Sequence, residues 1–118
     1  GDESGYETGE VQKVKLAAVW RDDVSVEEQK PVLNLCDEIG FWMDGDVSRL
    51  AARLDRCRAT VGNEKPILLG VMPATDVGAQ LRVAERMLRT GKAAGIVFHD
   101  RSEASRQWIA RHGKNLLR

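Results

Sequence analysis

Apolar residues along this chain gather in four short runs, and between the runs they recur every third or fourth position. The runs cover residues 12–20, 38–43, 66–72 and 95–98. The third and fourth are apolar on both faces, as strands buried inside a parallel sheet are. After the second run, Val47, Leu50, Leu54, Cys57 and Val61 form one stripe at helical spacing. After the third, Val77, Leu81, Ala84 and Leu88 do the same, and after the fourth, Ala104, Trp108 and Ile109 point inward. The pattern predicts four βα units of about 30 residues each, the size of a strand and helix joined by short loops. Strand–helix alternation implies a parallel sheet.

Local signals punctuate this reading. Ser25 and Glu28 have the spacing of a capping box. Pro31 leaves two solutions for the first helix: a turn followed by a short helix from about residue 31, or one helix with Pro31 in its first turn. Asp44 or Asp46 caps the second helix, Thr75 or Asp76 the third, and Ser102 begins the last. Gly62, Gly91 and Gly113 mark helix ends. Residues 1–10 are polar, rich in glycine and acid, and read as a flexible lead-in or loop remnant. Residues 114–118 read as a solvated basic tail. The βα domain then spans 11–118.

Composition narrows the function. The 118 residues suit one domain. Lys plus Arg and Asp plus Glu are 18 each, so the net charge is zero. That balance argues against a broad grip on nucleic acid, which needs a basic excess. No apolar run approaches the roughly 20 residues of a membrane span. No secretory signal opens the chain. It begins on Gly1 rather than Met, which leaves an upstream start, and with it a secreted or periplasmic address, open. Cys36 and Cys57 match no zinc or redox spacing and read as small buried thiols. No metal or other cofactor is expected, since no ligand spacing or phosphate-cradling glycine loop is present.

Four parallel strands leave two unpaired edges. Open doubly wound sheets commonly have five strands and closed barrels eight. The chain is thus either a small open flavodoxin-like sheet or half of a (β/α)8 TIM barrel. The segments Cys36-Asp-Glu-Ile-Gly-Phe-Trp, Pro66-Ile-Leu-Leu-Gly-Val-Met, Thr90-Gly-Lys-Ala-Ala-Gly-Ile-Val-Phe and Arg106-Gln-Trp-Ile bear on this choice. Together they resemble the C-terminal half of an uncharacterised group of bacterial glycoside-hydrolase-like TIM-barrel proteins, over about residues 14 to 113. The resemblance implies a partial barrel, a carbohydrate-related role and a missing N-terminal half or a self-associating copy. The chain departs from the group after the third strand, where Val71-Met-Pro-Ala-Thr-Asp76 replaces an aromatic-rich segment.

On such a barrel the site forms at the C-terminal strand ends. The candidates there are Asp22, Asp44, Asp76, His99 and Asp100 for acid–base chemistry, with Asp23 beside the first. Glycoside hydrolysis needs two carboxyl groups about 5–10 Å apart. Trp20 and Trp42 offer flat apolar faces to a pyranose. Arg101, with the helix that begins at Ser102, offers charge and amide donors. Each has a structural counterpart. Asp44 and Asp76 suit helix caps, Trp42 suits the core, and His99 suits a simple hydrogen bond. The reading from a different class is a non-catalytic α/β module acting by self-association.

Overall fold

The computed structural model describes residues 15–44 and 46–116, and the expected lead-in over 1–10 lies outside them. The chain alternates β1 (Ala17–Val19), α1 (Val26–Leu35), β2 (Glu38–Trp42), α2 (Leu50–Val61), β3 (Ile67–Val71), α3 (Val77–Arg89), β4 (Gly95–Phe98) and α4 (Glu103–Leu116). A short 3-10 turn, Val47–Arg49, leads into α2. The four strands form one sheet in the order β1-β2-β3-β4, and every pair is parallel. The fold is α/β, built from four βα units.

Strand order decides where the helices go. A crossover between neighbouring parallel strands is right-handed, so strands laid down in sequence place all their helices on one face. The register bears this out. Phe41, Leu69 and Ile96 lie side by side, as do Ile39 with Ile67 and Val71 with Phe98. These residues belong to one core with Leu33, Leu54, Cys57, Leu81, Ala84 and Trp108 of the four helices. The opposite face carries Val19, Trp42, Leu68 and Val97, with Gly40, Gly70 and Gly95 between them. No helix covers it. Its apolar residues are half-buried, whereas Ile39, Phe41, Ile67, Leu69 and Val71 are fully enclosed.

Trp42 covers much of the open face itself. A methyl group built at Gly40 would stand 2.9 Å from its Cη2 atom, and one at Gly70 would run into the ring carbons, 2.8 Å from Cζ3. The indole therefore lies across two bare backbone segments. The edge of His99 meets the ring at 4.5 Å between centroids and 66° between planes.

Helix ends follow the expected chemistry. Ser25 Oγ accepts from the Glu28 amide at 3.1 Å and Asp76 Oδ1 from the Ala79 amide at 3.0 Å. Asp46 accepts from the Ser48 amide at 3.1 Å, capping the 3-10 turn. Gly62 and Gly91 end α2 and α3 with φ of 88° and 76°, values that favour a residue without Cβ. Cys36 and Cys57 are buried free thiols, and burial pushes Cys57 up to about 11.

Three expectations change. Helix α1 is continuous from Val26, with exposed Pro31 in its second turn; neither solution foresaw this. Gly113 lies inside α4 rather than at its end. Ala104 and Ile109 are exposed, Ile109 by 42%, and Ser105 turns inward instead. The reason is positional. β4 is an edge strand, so the side of α4 that would face a following unit meets none. His112 stacks on Trp108 at 4.4 Å and reaches Glu85 at 3.3 Å.

A Gly70→Ala substitution should cost about 1–3 kcal/mol, because the added methyl overpacks against Trp42. In a Trp42→Ala background the cost should largely vanish. Urea unfolding of the four variants checks this, and an equal cost in both backgrounds would refute the contact.

Candidate functional site

The tips of the strands are held by side chains reaching from the helices. Gln29 of α1 and Gln80 of α3 are both buried and do the same work. Gln29 accepts from the Arg21 amide at 3.1 Å and donates to the Arg21 carbonyl at 2.7 Å. Gln80 accepts from the Met72 amide at 2.9 Å and donates to the Met72 carbonyl at 2.8 Å. Each Gln thereby satisfies a backbone pair just past a strand, where the sheet ladder has stopped. Both lie four residues after the capping residue, Ser25 or Asp76, and eight after the clamped one. The first and third units thus share a motif that hydrophobic periodicity does not register.

Arg53 of α2 joins the first two tips. Its guanidinium passes over the Phe41 ring at 4.8 Å and meets Asp22 Oδ2 at 2.7 Å through both Nε and Nη2. Nη2 also donates to the Trp42 carbonyl at 3.4 Å. Nη1 is buried without a hydrogen-bond partner, and Asp44 stands 3.8 Å from it. Asp22 Oδ1 accepts from the Trp20 indole N–H at 3.0 Å. Asp22 and Asp44 therefore flank one guanidinium.

Two cavities share Asp22. The smaller, about 150 Å³, is lined by Asp22, Asp44, Asp46, Arg49 and Arg53. The larger is an open groove of about 510 Å³ lined by Val19, Trp20, Arg21, Asp22, Asp23 and Trp42. Its size falls within the roughly 300–1,000 Å³ of small-molecule sites. Trp20 is 4% exposed and faces the helices, so it borders the groove mainly as core. Trp42 lies on the open face and is half-buried. Trp20 and Trp108 commit their indole N–H groups to Asp22 and Glu85; Trp42 makes no such bond among the described residues. Asp23 is exposed and held by Arg21 at 2.8 Å, a contact whose hydrogen bond draws its carboxyl below the usual value.

The remaining candidates lie along the rim in other duties. Asp76 caps α3. Asp100 is buried and accepts from the Ser102 hydroxyl, the Ser105 hydroxyl at 2.7 Å and the Ser102 amide at 3.0 Å. His99 is exposed and meets the site through Trp42. Arg101 is exposed, and its carbonyl accepts from Arg106. Asp22, Asp44, Trp20 and Trp42 are thus brought together, with His99 beside them, while Asp76, Asp100 and Arg101 are not. Arg53 was missed by sequence reading; its only signal is a cation one turn into the helix after an acidic tip. No helix among the described residues is long and apolar enough to cross a membrane.

Compared with known proteins, the chain matches no family model, no curated protein and no solved structure. What stands is a parallel four-strand α/β sheet of βα units, with no family identified.

The Ser102 hydroxyl first, then Ser105, hold the Asp100 carboxyl below the ordinary carboxylate value. A carboxyl with a depressed native pKa stabilises the fold above its unfolded value, near about 4, and loses that contribution as pH falls through the native one. Asp100→Asn should lower the urea midpoint at pH 7, with the gap to wild type narrowing as pH drops below about 4. A gap independent of pH would refute the assignment.

Proposed function

We propose that the chain is half of a (β/α)8-type barrel whose C-terminal rim binds carbohydrate. The observation that carries this is Trp42. Its indole rests on Gly40 and Gly70 beside a groove that also holds Asp22 and Asp23. A pyranose stacks its apolar face on such a ring, and its hydroxyls bond to carboxylates at the ring's edge. The half-barrel part is supported by sequential strand order, helices on one face and an apolar face left open. A barrel has the same arrangement, with the open face turned to its interior.

Binding fits the acids better than hydrolysis. A glycosidase needs one carboxylic acid to donate a proton and a second carboxylate opposite it. Both oxygens of Asp22 are engaged, by Trp20 and Arg53, and both oxygens of Asp23 by Arg21. Such a site holds hydroxyl groups with fixed acceptors. A second reading, a module that acts through association alone, is favoured by exposed Val32, Leu35 and Ile109 at the outer helices. It keeps the half-barrel and drops the sugar.

Titration with a panel of mono- and oligosaccharides, followed through the tryptophan indole N–H resonances, separates the two. The Trp42 signal should move at millimolar sugar, and Trp42→Ala should weaken binding at least tenfold with the fold intact by circular dichroism. A Trp42 resonance that no saccharide moves would leave association as the function.

A further inference from the structure

We propose that the open face and both free edges of the sheet are closed by a second copy of this chain, arranged head to tail about a two-fold axis. This rests on the half-barrel reading and names what supplies the other half.

An occupant of the open side has three tasks at once. It must pair in parallel with the outer edge of β4 and with the outer edge of β1, and it must cover Val19, Leu68 and Val97. The groove beside β4, about 310 Å³, is apolar and lined in part by Ile96, Phe98, Trp108 and Ile109. The groove beside β1, about 280 Å³, is lined in part by Val19, Val24, Glu28 and Val32. Each edge supplies what the other lacks: a parallel strand with a helix on the same side. Four strands added to four give eight, the number at which such a ring closes. A head-to-tail contact that closes after two copies leaves no edge to recruit a third.

The outer helices match in height and charge. In a closed ring α1 of one copy runs parallel to α4 of the other. Glu28 is the third residue of α1 and Arg106 the fourth of α4, while Val32 and Ile109 are each seventh. Level placement sets an acid against a base and an exposed valine, 54% accessible, against exposed Ile109. The chain also contains a precedent for this succession. Helices pack as α1 on α2 and α3 on α4, so the units come in pairs. The third unit, with its Gln80 clamp, follows the second in the sheet. The first unit carries the matching Gln29 clamp, so placing it after the fourth unit of another copy repeats a step already taken within the chain.

Closure would also complete the rim. The tip of β1, with Asp22 and Asp23, would adjoin the tip of β4 from the second copy, which carries His99 and Arg101. The groove beside Trp42, which holds Arg21 in one chain, would gain a second guanidinium, Arg101, from the other.

Sedimentation at micromolar concentration should give twice the chain mass, and Val97→Asp should give monomers. Cysteine pairing then tests the arrangement. V32C alone and I109C alone should stay unlinked on oxidation, whereas a mixture of the two should yield disulfide-joined dimers. A monomer, links within either single variant, or a ladder of larger species would overturn the proposal. Amide exchange separates its failure from that of the half-barrel. A monomer whose outward β1 and β4 amides exchange freely leaves the half-barrel standing with a different second half. A dimer that leaves those amides unprotected sinks both.

Discussion

The handedness of the βα crossover governs this molecule. Strands in the order β1-β2-β3-β4, each linked to the next through a right-handed helix, confine all four helices to one side. The helical side then holds nearly all the fully buried apolar surface, from Ile39 and Phe41 to Val71. The other side is left to manage without a layer. It does so with few large residues, three glycines and one indole packed over two of them. The residues that stabilise the fold and those that offer themselves to a ligand are therefore separated by the plane of the sheet, at alternate positions along the same strands.

The polar groups at the strand ends answer a second requirement. Every strand that stops leaves backbone donors and acceptors without a ladder partner, and every helix adds more at its termini. Gln29 and Gln80 each satisfy a peptide pair. Lys65 reaches the carbonyls of Leu33, Asn34 and Cys36, where α1 ends, at 3.2, 3.2 and 2.6 Å. Asp100 gathers three donors at the start of α4. Most of the rim's polar side chains are consumed in fixing the loops. The groove by Asp22 and Trp42 stands out because the Trp42 indole N–H has no acceptor among the described residues and its volume is open.

This explains what the sequence made legible. Apolar runs and helical stripes placed the four strands and the last three helices, and short polar residues before helices marked the caps, because both are local consequences of backbone geometry. What periodicity cannot supply is the neighbour. Ala104 and Ile109 fall on an apolar stripe, yet both are exposed, because a stripe records which side is apolar and not whether another unit packs there. Trp20 and Trp42 looked alike as strand-end aromatics. Their faces differ because register puts Trp20 with the Phe41 side and Trp42 opposite. Asp22 and Asp76 likewise share a sequence context. Only the reach of Arg53 from a different helix makes the first part of a site.

The glycines under Trp42 bear on whether that ring serves stability or recognition. A glycine inside a strand costs roughly 0.5–1 kcal/mol in backbone freedom relative to alanine. The chain accepts this at Gly40 and Gly70, beneath one side chain. A core tryptophan on the helical side would bury more surface at no such cost, as Trp20 and Trp108 do at 4% and 3% exposure. Trp42 instead lies down on bare backbone, remains half-buried and keeps its indole N–H free of protein acceptors among the described residues. Stability alone does not require that geometry. The proposed stacking role would account for it.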